Sequence, residues 1–484
     1  MKNFKFKLST LTVLAAPMLF AQNQDDLKSK IKSNNYTGAF KSFISSNRGR
    51  GSGNRELSFR ASLLERMGYY HLAMHERAQL ARRVNELEND SKLGNVALYL
   101  DYFDPLLKLP RSGKTAVSYG AAYAVGLFKD GRAIEASRAM PSQNALMALP
   151  KVAPSYKGLV NLAGLHLALG RYTDSMYLLG TEYTLAPNFD LGLVRLQRAR
   201  LLFDAKKYSE ALDELIYLPR SSSSWYPGAM VGAWSAYYVK DYNLALGLLM
   251  NVHSPFLAAK YNPESYLLES AVLYKLCYYE SALRSIKKLK EKYSTLPASI
   301  RKFQSLARQP VQLMNALVRH SRGESSPERG ISAKDWGLII DALATEQLIA
   351  DADRSLTLLA KERAFINKEL ASGSGTSLKY TYSKALDDAR ASYYRRVANF
   401  SSKLLDKMSR ETEEALEGTL AVEVEINTRV RDRLLSGKTP QKKEIDFERE
   451  VKKGFEFWPF EGEFWRDETG AYAFATTDVC EAKQ

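Results

Sequence analysis

Few residues in this chain have the types and spacing that catalysis or metal binding requires. Among the five histidines, only His71 and His75 lie one helical turn apart, where two imidazoles can hold one metal ion. The HLAMH segment that contains them lacks the glutamate of a zinc-protease helix, and no third ligand follows at a suitable spacing. We therefore predict two exposed or half-buried histidines and no metal cofactor.

The segment RSGKTA, residues 111–116, contains the Gly-Lys-Thr of a phosphate-binding loop. That loop needs a glycine five positions before Gly113, where this chain has Lys108, and it needs a preceding strand. Pro110 follows a helical pattern instead. Because no Ser, Cys or Asp is paired with a histidine at motif spacing, we predict no catalytic residues, no cofactors and no enzyme activity.

The N-terminus has the layout of a secretory signal peptide over residues 1–21. Lys2, Lys5 and Lys7 precede an apolar run at residues 8–20, and polar residues follow Ala21. The run is shorter than the roughly 20 residues that span a bilayer. We expect cleavage after Ala21, export, and no transmembrane helix in the mature chain.

The charge balance favours acidic partners. The chain has 69 Lys and Arg residues against 54 Asp and Glu residues, a formal net charge of +15. Anionic lipid, acidic protein and acidic glycan all fit this balance, whereas export argues against nucleic acid. Only two cysteines are present, Cys277 and Cys480. Because they lie far apart in unlike sequence contexts, we expect two independent thiols.

An internal repeat runs through the first 300 residues. An aromatic or small residue is followed three positions later by a small one at Tyr36/Ala39, Tyr70/Ala73, Ala133/Ala136, Tyr172/Ser175, Tyr208/Ala211, Tyr242/Ala245 and Tyr279/Ala282. Most intervals are 34 to 39 residues, a period typical of stacked helix–turn–helix units. Nine residues before these sites stand further small residues, Ala163, Ala199, Ala233 and Ser270, which would let two helices cross closely.

This repeat resembles the tetratricopeptide repeat (TPR) family over residues 24–295. The clearest unit matches the motif at Leu162, Ala163, Gly170, Tyr172, Ser175, Leu179 and Pro187. It departs from the motif at His166 and Glu182. The resemblance implies an α-solenoid over residues 22–320, in which the first helix of each unit lines a groove that binds protein segments.

The resemblance also implies which residues line this groove. Its predicted partner-binding residues are Arg200, Phe203, Trp234, Tyr237, Tyr238, Tyr274 and Lys275, with Glu264, Leu267 and Ala271 at further groove positions. Tyr, Trp and Arg are the side chains that dominate protein-binding hot spots. The alternative is that these aromatic rings only pack adjacent helices.

A basic segment follows the last repeat. Residues 284–334 contain twelve basic and three acidic residues. This segment is either a solvated helix face or a contact for anionic lipid, an acidic protein or a charged glycan. Its end, residues 321–333, is rich in Ser, Gly and Pro and reads as a linker.

Residues 334–436 predict a long antiparallel helical hairpin of the coiled-coil type. Apolar residues recur at spacings of three and four, at Leu386, Tyr393, Val397, Phe400, Leu404 and Met408, and in a shifted phase at Val422, Ile426, Val430 and Leu434. The segment ASGSGTS at residues 371–377 separates the two helices.

The last segment, residues 437–484, is crowded with aromatic residues. Residues 463–466 and 471–475 predict a β-hairpin around Gly470. Trp458 and Trp465 would make tail contacts, either with the long helix or with a partner. The pattern FEFWPFEGEFWRDE resembles exported envelope TPR proteins of gliding and predatory deltaproteobacteria.

Together these patterns predict an all-α protein with a TPR-like solenoid, a helical hairpin and a small aromatic β-hairpin segment. The resemblances imply a non-enzymatic scaffold that binds envelope proteins in the periplasm, or at the outer-membrane periphery, of a Gram-negative bacterium, with a motility or outer-membrane role. The alternative is a cell-wall protein that contacts acidic polymer through its basic segment.

Overall fold

The computed structural model describes residues 24–46, 53–83, 191–257, 260–324, 326–371 and 376–436. It also describes seven residues of the C-terminal segment, Phe464, Arg466, Gly470, Tyr472, Phe474, Thr476 and Cys480. These described residues form helices and connecting turns, with no strand among them. The predicted signal peptide, the repeat sites at 133 and 172 with their glycines, Trp458 and Trp465 lie outside them.

The described helices are numbered in chain order. They are α1 (Gln24–Lys32), α2 (Tyr36–Ser46), α3 (Asn54–Arg66), α4 (Tyr70–Arg83), α5 (Leu191–Asp204), α6 (Tyr208–Ile216), α7 (Trp225–Tyr238), α8 (Tyr242–Val252), α9 (Glu264–Lys275), α10 (Tyr279–Tyr293), α11 (Leu296–Ala307), α12 (Pro310–Ser321), α13 (Ala333–Ala344), α14 (Gln347–Glu369) and α15 (Thr376–Leu435). A 3₁₀ turn, Pro255–Leu257, lies between α8 and α9. Residues 84–190, between α4 and α5, lie outside the described residues.

The chain divides into two compact units. The described part of the first unit comprises α1 to α4, residues 355–369 of α14 and residues 376–391 of α15. The described part of the second unit comprises α5 to α13, the remainder of α14 and α15, and the C-terminal residues.

One turn geometry joins the two helices of every described repeat pair, which confirms the helix–turn–helix repeat in the described residues. The turn residue two positions before each repeat tyrosine has φ between 59° and 78°, and these residues are Asn34, Gly68, Lys206, Lys240 and Cys277. In each turn the residue that follows the left-handed residue donates its N–H to the carbonyl five positions before it, at 2.8 to 2.9 Å. This hydrogen bond ends the first helix in a left-handed cap, so the chain reverses in the same way each time.

The small repeat residues lie where the helices cross most closely. Ala39, Ala73, Ala211, Ala245 and Ala282 have no exposed surface. The small residues predicted on the first helices of the described pairs, Ala199, Ala233 and Ser270, are equally buried.

Packing in the second unit follows the order of the chain. Each first helix packs against its own second helix and against the next first helix, as α5 does with α6 and α7, and α7 with α8 and α9. This is a solenoid-like arrangement of helix pairs.

Helices α11, α12 and α13 extend the second unit beyond the repeats. The predicted linker lies between the end of α12 and the start of α13. Ser332 caps α13 by accepting a hydrogen bond from the Asp335 N–H at 3.1 Å. The buried Asp335 carboxylate then accepts hydrogen bonds from Ser299 at 2.7 Å and Thr295 at 3.2 Å, which fixes α13 against α11.

In α15 the buried stripe differs from the predicted one by a local shift. Leu386, Tyr393, Val397, Met408 and Ile426 are buried as expected. Ser401 and Leu405 are buried where Phe400 and Leu404 were predicted, and Leu434 is 57% exposed. The shift arises because an α-helix has 3.6 residues per turn, whereas a strict seven-residue repeat needs 3.5. The buried face therefore moves around the helix, and Ser401 and Leu405 fall one residue later than the repeat predicts.

The antiparallel coiled-coil pairing of α14 and α15 stays a prediction. Within the first unit, Arg363 of α14 donates to the Ser383 carbonyl of α15 at 3.2 Å and pairs with Asp387. The connection between the helices lies in the predicted Gly/Ser segment, with α15 starting at Thr376.

A buried carboxylate from α14 caps α4 in the first unit. The Glu362 side chain has no exposed surface and accepts hydrogen bonds from the N–H groups of His71 at 3.0 Å and Leu72 at 3.3 Å. The His71 ring nitrogen lies 3.2 Å from the same carboxylate. Because negative charge is favourable at a helix N-terminus, Glu362 fixes where α4 begins.

The two cysteines form a disulfide, so the expectation of two independent thiols was wrong. Cys277 is the left-handed residue of the α9–α10 turn, and the Cα atoms of Cys277 and Cys480 are 5.2 Å apart. The two residues are separated by 203 positions in the sequence. They meet because the C-terminal residues pack on the second unit.

Hydrogen bonds from two asparagines of α8 hold the C-terminal residues. Asn243 donates to the Thr476 carbonyl at 3.0 Å and accepts from the Thr476 N–H at 2.9 Å. Asn251 makes the same pair of bonds with Tyr472, at 2.8 and 3.2 Å. The described residues here show no strand, so the predicted β-hairpin is not seen in them.

The repeated turn generates a stability prediction. A non-glycine residue in the left-handed region is destabilised by roughly 1 kcal/mol, and glycine is not. We expect Lys240→Gly to raise the free energy of unfolding by about 1 kcal/mol. As a control, Lys288→Gly in the exposed interior of α10 should lower it by about 1 kcal/mol. Urea unfolding of both variants measures the difference, and a loss of stability in Lys240→Gly would contradict the turn geometry.

Candidate protein-binding site

Aromatic rings from α5 to α8 form one continuous row, which we call the aromatic row. Its members are Phe203, Tyr208, Trp234, Tyr237, Tyr238 and Tyr242. Tyr238 stacks on Tyr208 with ring centroids 4.5 Å apart, and Phe203 lies 5.9 Å from Tyr238. Trp234 also stacks on Tyr238 at 6.0 Å, so four rings from three helices are in contact.

The aromatic row belongs partly to the surface. Tyr238 is 48% exposed, and Phe203, Trp234 and Tyr237 are half-buried. Desolvation raises the pKa of Tyr237, with further contributions from Tyr242 and Tyr238. Because its hydroxyl stays protonated at neutral pH, Tyr237 can donate a hydrogen bond to a partner.

Four of the predicted partner-binding residues are therefore brought together in the row, and the other three are not members of it. Arg200 is half-buried near Asp204 and Glu346, and desolvation lowers its pKa while these two charges oppose the change. Tyr274 lies 6.0 Å from Tyr279, and Lys275 is exposed at the end of α9. Tyr274 also joins the hydrophobic cluster that Trp234 and Tyr237 pack against.

Sequence reasoning missed two members of the aromatic row, Tyr208 and Tyr242. Both are the aromatic residues that mark the repeat, and both begin the second helix of a pair. The family resemblance assigns groove positions to first helices only. The period of 34 residues between these tyrosines was the signal that could have found them.

The predicted groove positions of α9 are covered by the chain's own helix α15. The Leu267 side chain packs against Gly418, and the Tyr274 hydroxyl donates to Glu425 at 3.3 Å. Before α9, the Tyr261 hydroxyl donates to the Met408 carbonyl at 2.7 Å and lies 3.0 Å from the Thr412 hydroxyl. In the second unit, α15 therefore covers the α9 positions that were predicted to line a groove.

Short side chains let α15 approach this closely. The face of α15 that packs on the second unit is buried at Ser401, Leu405, Met408, Thr412, Ala415, Thr419 and Ile426. At its closest point the helix has Gly418, where a Cβ atom would lie 2.9 Å from Leu267 Cδ1. A glycine inside a helix lowers its stability by about 1 kcal/mol relative to alanine, so this contact explains its presence.

Opposite charges line the edges of this contact. Lys290 Nζ lies 2.6 Å from Glu423 Oε2, and Arg301 lies 3.7 Å from Glu413. Gln304 donates to Asp406 at 2.6 Å. Part of the basic segment therefore faces acidic residues of α15, while Lys287, Lys288, Arg308, Arg322 and Arg329 are exposed.

Carboxylates accumulate where α9 meets α15. Desolvation raises the pKa of Glu264, and the negative charge of Glu411 adds to the increase. The Trp234 and Lys407 side chains act in the opposite direction. Burial likewise raises the pKa of Glu346, which Lys407 and Arg200 oppose.

The described residues contain no group of three or more His, Cys, Asp or Glu side chains placed to hold a metal ion. The prediction of exposed or half-buried histidines was wrong for His71, which is buried against the Glu362 carboxylate. His75 is half-buried as predicted, with its ring 2.7 Å from the Gln79 amide. No helix among the described residues is long and apolar enough to cross a membrane.

A larger side chain at position 418 should separate α15 from α9. We expect Gly418→Leu to lower the free energy of unfolding by about 1–3 kcal/mol, because a leucine cannot fit against Leu267. Gly418→Ala should be close to neutral, since a methyl group displaces only the end of the Leu267 side chain while the helix gains stability. Hydrogen exchange of residues 408–426 measures the docking. The control is Glu417→Leu at the exposed neighbouring position, and equal protection in the two leucine variants would contradict the proposed contact.

The pKa of Glu264 gives a prediction for pH. Because this pKa is raised in the folded chain, the ionised carboxylate lowers stability at high pH, and the loss is relieved as the pH falls through the folded pKa. Glu264→Gln should therefore be more stable than the parent chain at pH 8, with the difference shrinking towards pH 5. Thermal unfolding across this range tests the trend, with Glu280→Gln on the exposed start of α10 as the control. A Glu264→Gln variant that is less stable at pH 8 would overturn it.

Comparison with known proteins adds no family to this description. No protein-family model matches the chain, and no curated protein matches it.

Proposed function

We propose that this protein is a non-enzymatic, exported scaffold that binds proteins of a bacterial envelope assembly through its aromatic row. The single observation that carries the proposal is the row itself, which presents Tyr238, Tyr208 and Trp234 as stacked, partly exposed rings. Aromatic residues supply large contact area at low cost in side-chain entropy, which is why they dominate protein-binding sites.

The repeated turn supports assignment of the helix pairs to the TPR superfamily as part of this proposal. Five described pairs share the left-handed residue, the five-residue hydrogen bond and the buried alanine of the second helix. Stacked pairs of this kind form extended surfaces that bind chain segments. In the second unit, such pairs already contact a helix at Gly418 and a C-terminal residue, Thr476, at Asn243.

The disulfide supports export. Disulfides persist in oxidising compartments and are rare in the cytosol, where thiols are kept reduced. The bond between Cys277 and Cys480 fits the periplasm or the outer-membrane periphery, in agreement with the predicted signal peptide at residues 1–21.

The alternative function, contact with acidic cell-wall polymer, has weaker support. Lys290 and Arg301 face Glu423 and Glu413 of α15, which leaves fewer basic side chains for a polymer. The exposed basic side chains would have to carry that binding, and they are Lys287, Lys288, Arg308, Arg322 and Arg329. Sedimentation with isolated cell wall, compared between the parent chain and Lys287→Glu/Lys288→Glu, distinguishes this alternative.

In-cell photo-crosslinking tests the scaffold proposal. A photoreactive amino acid at Tyr238 should capture one or a few envelope proteins, and the same group at Phe256 is the control. Phe256 is 50% exposed and lies outside the aromatic row. The captured protein, once purified, should bind the Tyr238→Ala variant at least about tenfold more weakly, the effect expected of a hot-spot residue. It should bind Phe256→Ala unchanged, and equal binding by both variants would refute a role for the row.

A further inference from the structure

Side chains of α8 form hydrogen bonds with the backbone of the C-terminal segment. We define this segment by its residues Gly470, Tyr472, Phe474, Thr476 and Cys480. Asn251 is almost completely buried, and its side-chain oxygen accepts from the N–H groups of Gly470 at 2.6 Å and Tyr472 at 3.2 Å. Its amide nitrogen donates to the Tyr472 carbonyl at 2.8 Å and to the Gly247 carbonyl at 2.7 Å. All four hydrogen-bonding positions of this asparagine are used.

The spacing of the two asparagines matches an extended chain. Asn243 and Asn251 are eight residues apart on one helix, a rise of about 12 Å at 1.5 Å per residue. Tyr472 and Thr476 are four residues apart, and four extended residues span about 13 Å. Each asparagine side chain thus hydrogen-bonds to both the N–H and the carbonyl of one residue of the segment. These are the backbone groups that a neighbouring strand would pair with in a sheet.

Three further contacts select the segment's side chains. Gly470 has φ of 96°, and a Cβ atom there would lie 2.9 Å from Trp225 and 3.0 Å from Arg220. Phe474 packs against the cluster that contains Leu246 and Leu249 of α8. The Thr476 hydroxyl donates to the Tyr278 hydroxyl at 2.7 Å. The site therefore accepts an extended peptide with glycine, an aromatic residue and threonine at these positions.

We propose that α8 is an exchangeable peptide-binding site whose second occupant is the C-terminal segment of another copy of this chain. The C-terminal segment of a second copy fits this site because it has the same backbone hydrogen-bonding groups, the same glycine and the same cysteine. Exchange of an identical element between copies is a low-cost route to association. The Cys277–Cys480 disulfide controls the exchange, because a covalently closed segment cannot leave the site.

The chemistry of opening and exchange balances. A dithiol reductant supplies two electrons and two protons to the disulfide, which becomes two thiols while the reductant becomes a disulfide. After reduction, a small-molecule disulfide oxidises the Cys277 thiolate to a mixed disulfide and releases one small thiolate. The Cys480 thiolate of a segment from another copy, bound at α8, attacks Cys277 Sγ, a Cys277–Cys480 bond forms between copies, and the second small thiolate leaves.

Isotope mixing tests the proposal on the full chain. Equal amounts of unlabelled and ¹⁵N-labelled protein are reduced with a dithiol, mixed and reoxidised with oxidised glutathione. Disulfide-linked peptides containing Cys277 and Cys480 are then weighed by mass spectrometry. We expect peptides with one light and one heavy partner to exceed those of an unreduced mixture at least about tenfold, and to increase with protein concentration, because exchange competes with the tethered segment. Only light–light and heavy–heavy peptides would overturn the proposal.

A substitution in the segment itself leaves the helices untouched and tests the hydrogen bonds. The labelled copy carries Thr476→Pro, which removes the N–H that Asn243 accepts. In the same tube, labelled Cys480 joined to unlabelled Cys277 should be about tenfold rarer than the reverse pairing, the factor expected for one lost hydrogen bond of about 1.4 kcal/mol. Equal amounts of the two pairings would show that thiol reactivity alone drives the exchange, and would overturn recognition by α8.

Discussion

The turn between the helices of each pair is the constraint on which the second unit depends. A left-handed residue at Lys206, Lys240 or Cys277 lets the next N–H return to a carbonyl five residues earlier, and the chain then reverses with one fixed geometry. The repeat tyrosine always follows two residues later. The aromatic row is a consequence, because Tyr208 and Tyr242 are delivered to equivalent places beside the first-helix aromatic residues. The same turn presents Cys277 to the C-terminal segment.

Helix α15 depends on this arrangement in a different way. Its buried face is built largely from Ser, Thr, Ala and Gly, which contribute little hydrophobic area but permit close approach of the helix backbone. Specificity then comes from polar contacts such as that of Tyr261 with Met408 and Thr412, and from opposite charges at the edges. The basic segment and the acidic residues of α15 thus have complementary charges within one chain. The sequence of either segment alone does not predict this pairing.

Features set by local spacing could be predicted from the sequence. The recurrence of Tyr and Ala at intervals near 34 residues predicted the helix pairs and the buried small residues, and apolar residues at spacings of three and four predicted the long helix α15. The resemblance to the TPR family implied that the aromatic residues Phe203, Trp234, Tyr237 and Tyr238 lie together. Features that join distant parts of the chain could not be predicted. Cys277 and Cys480 are 203 residues apart, and Asn243 meets Thr476 across 233 residues. No periodic pattern predicts a contact between such distant residues, because the contact depends on the tertiary structure and not on local spacing.

The cap that Glu362 places on α4 links parts of the chain that are made at very different times. His71 and Glu362 are 291 residues apart, so the first unit closes a very long loop when it folds. Proteins rich in such distant contacts fold slowly, since the entropy of loop closure is lost before the contacts form. During synthesis α3 and α4 emerge long before their capping carboxylate exists, and the first unit reaches its final structure only when the helices that complete it have followed. A chain with this order of assembly keeps its N-terminal unit incomplete until residues 355–391 have been made.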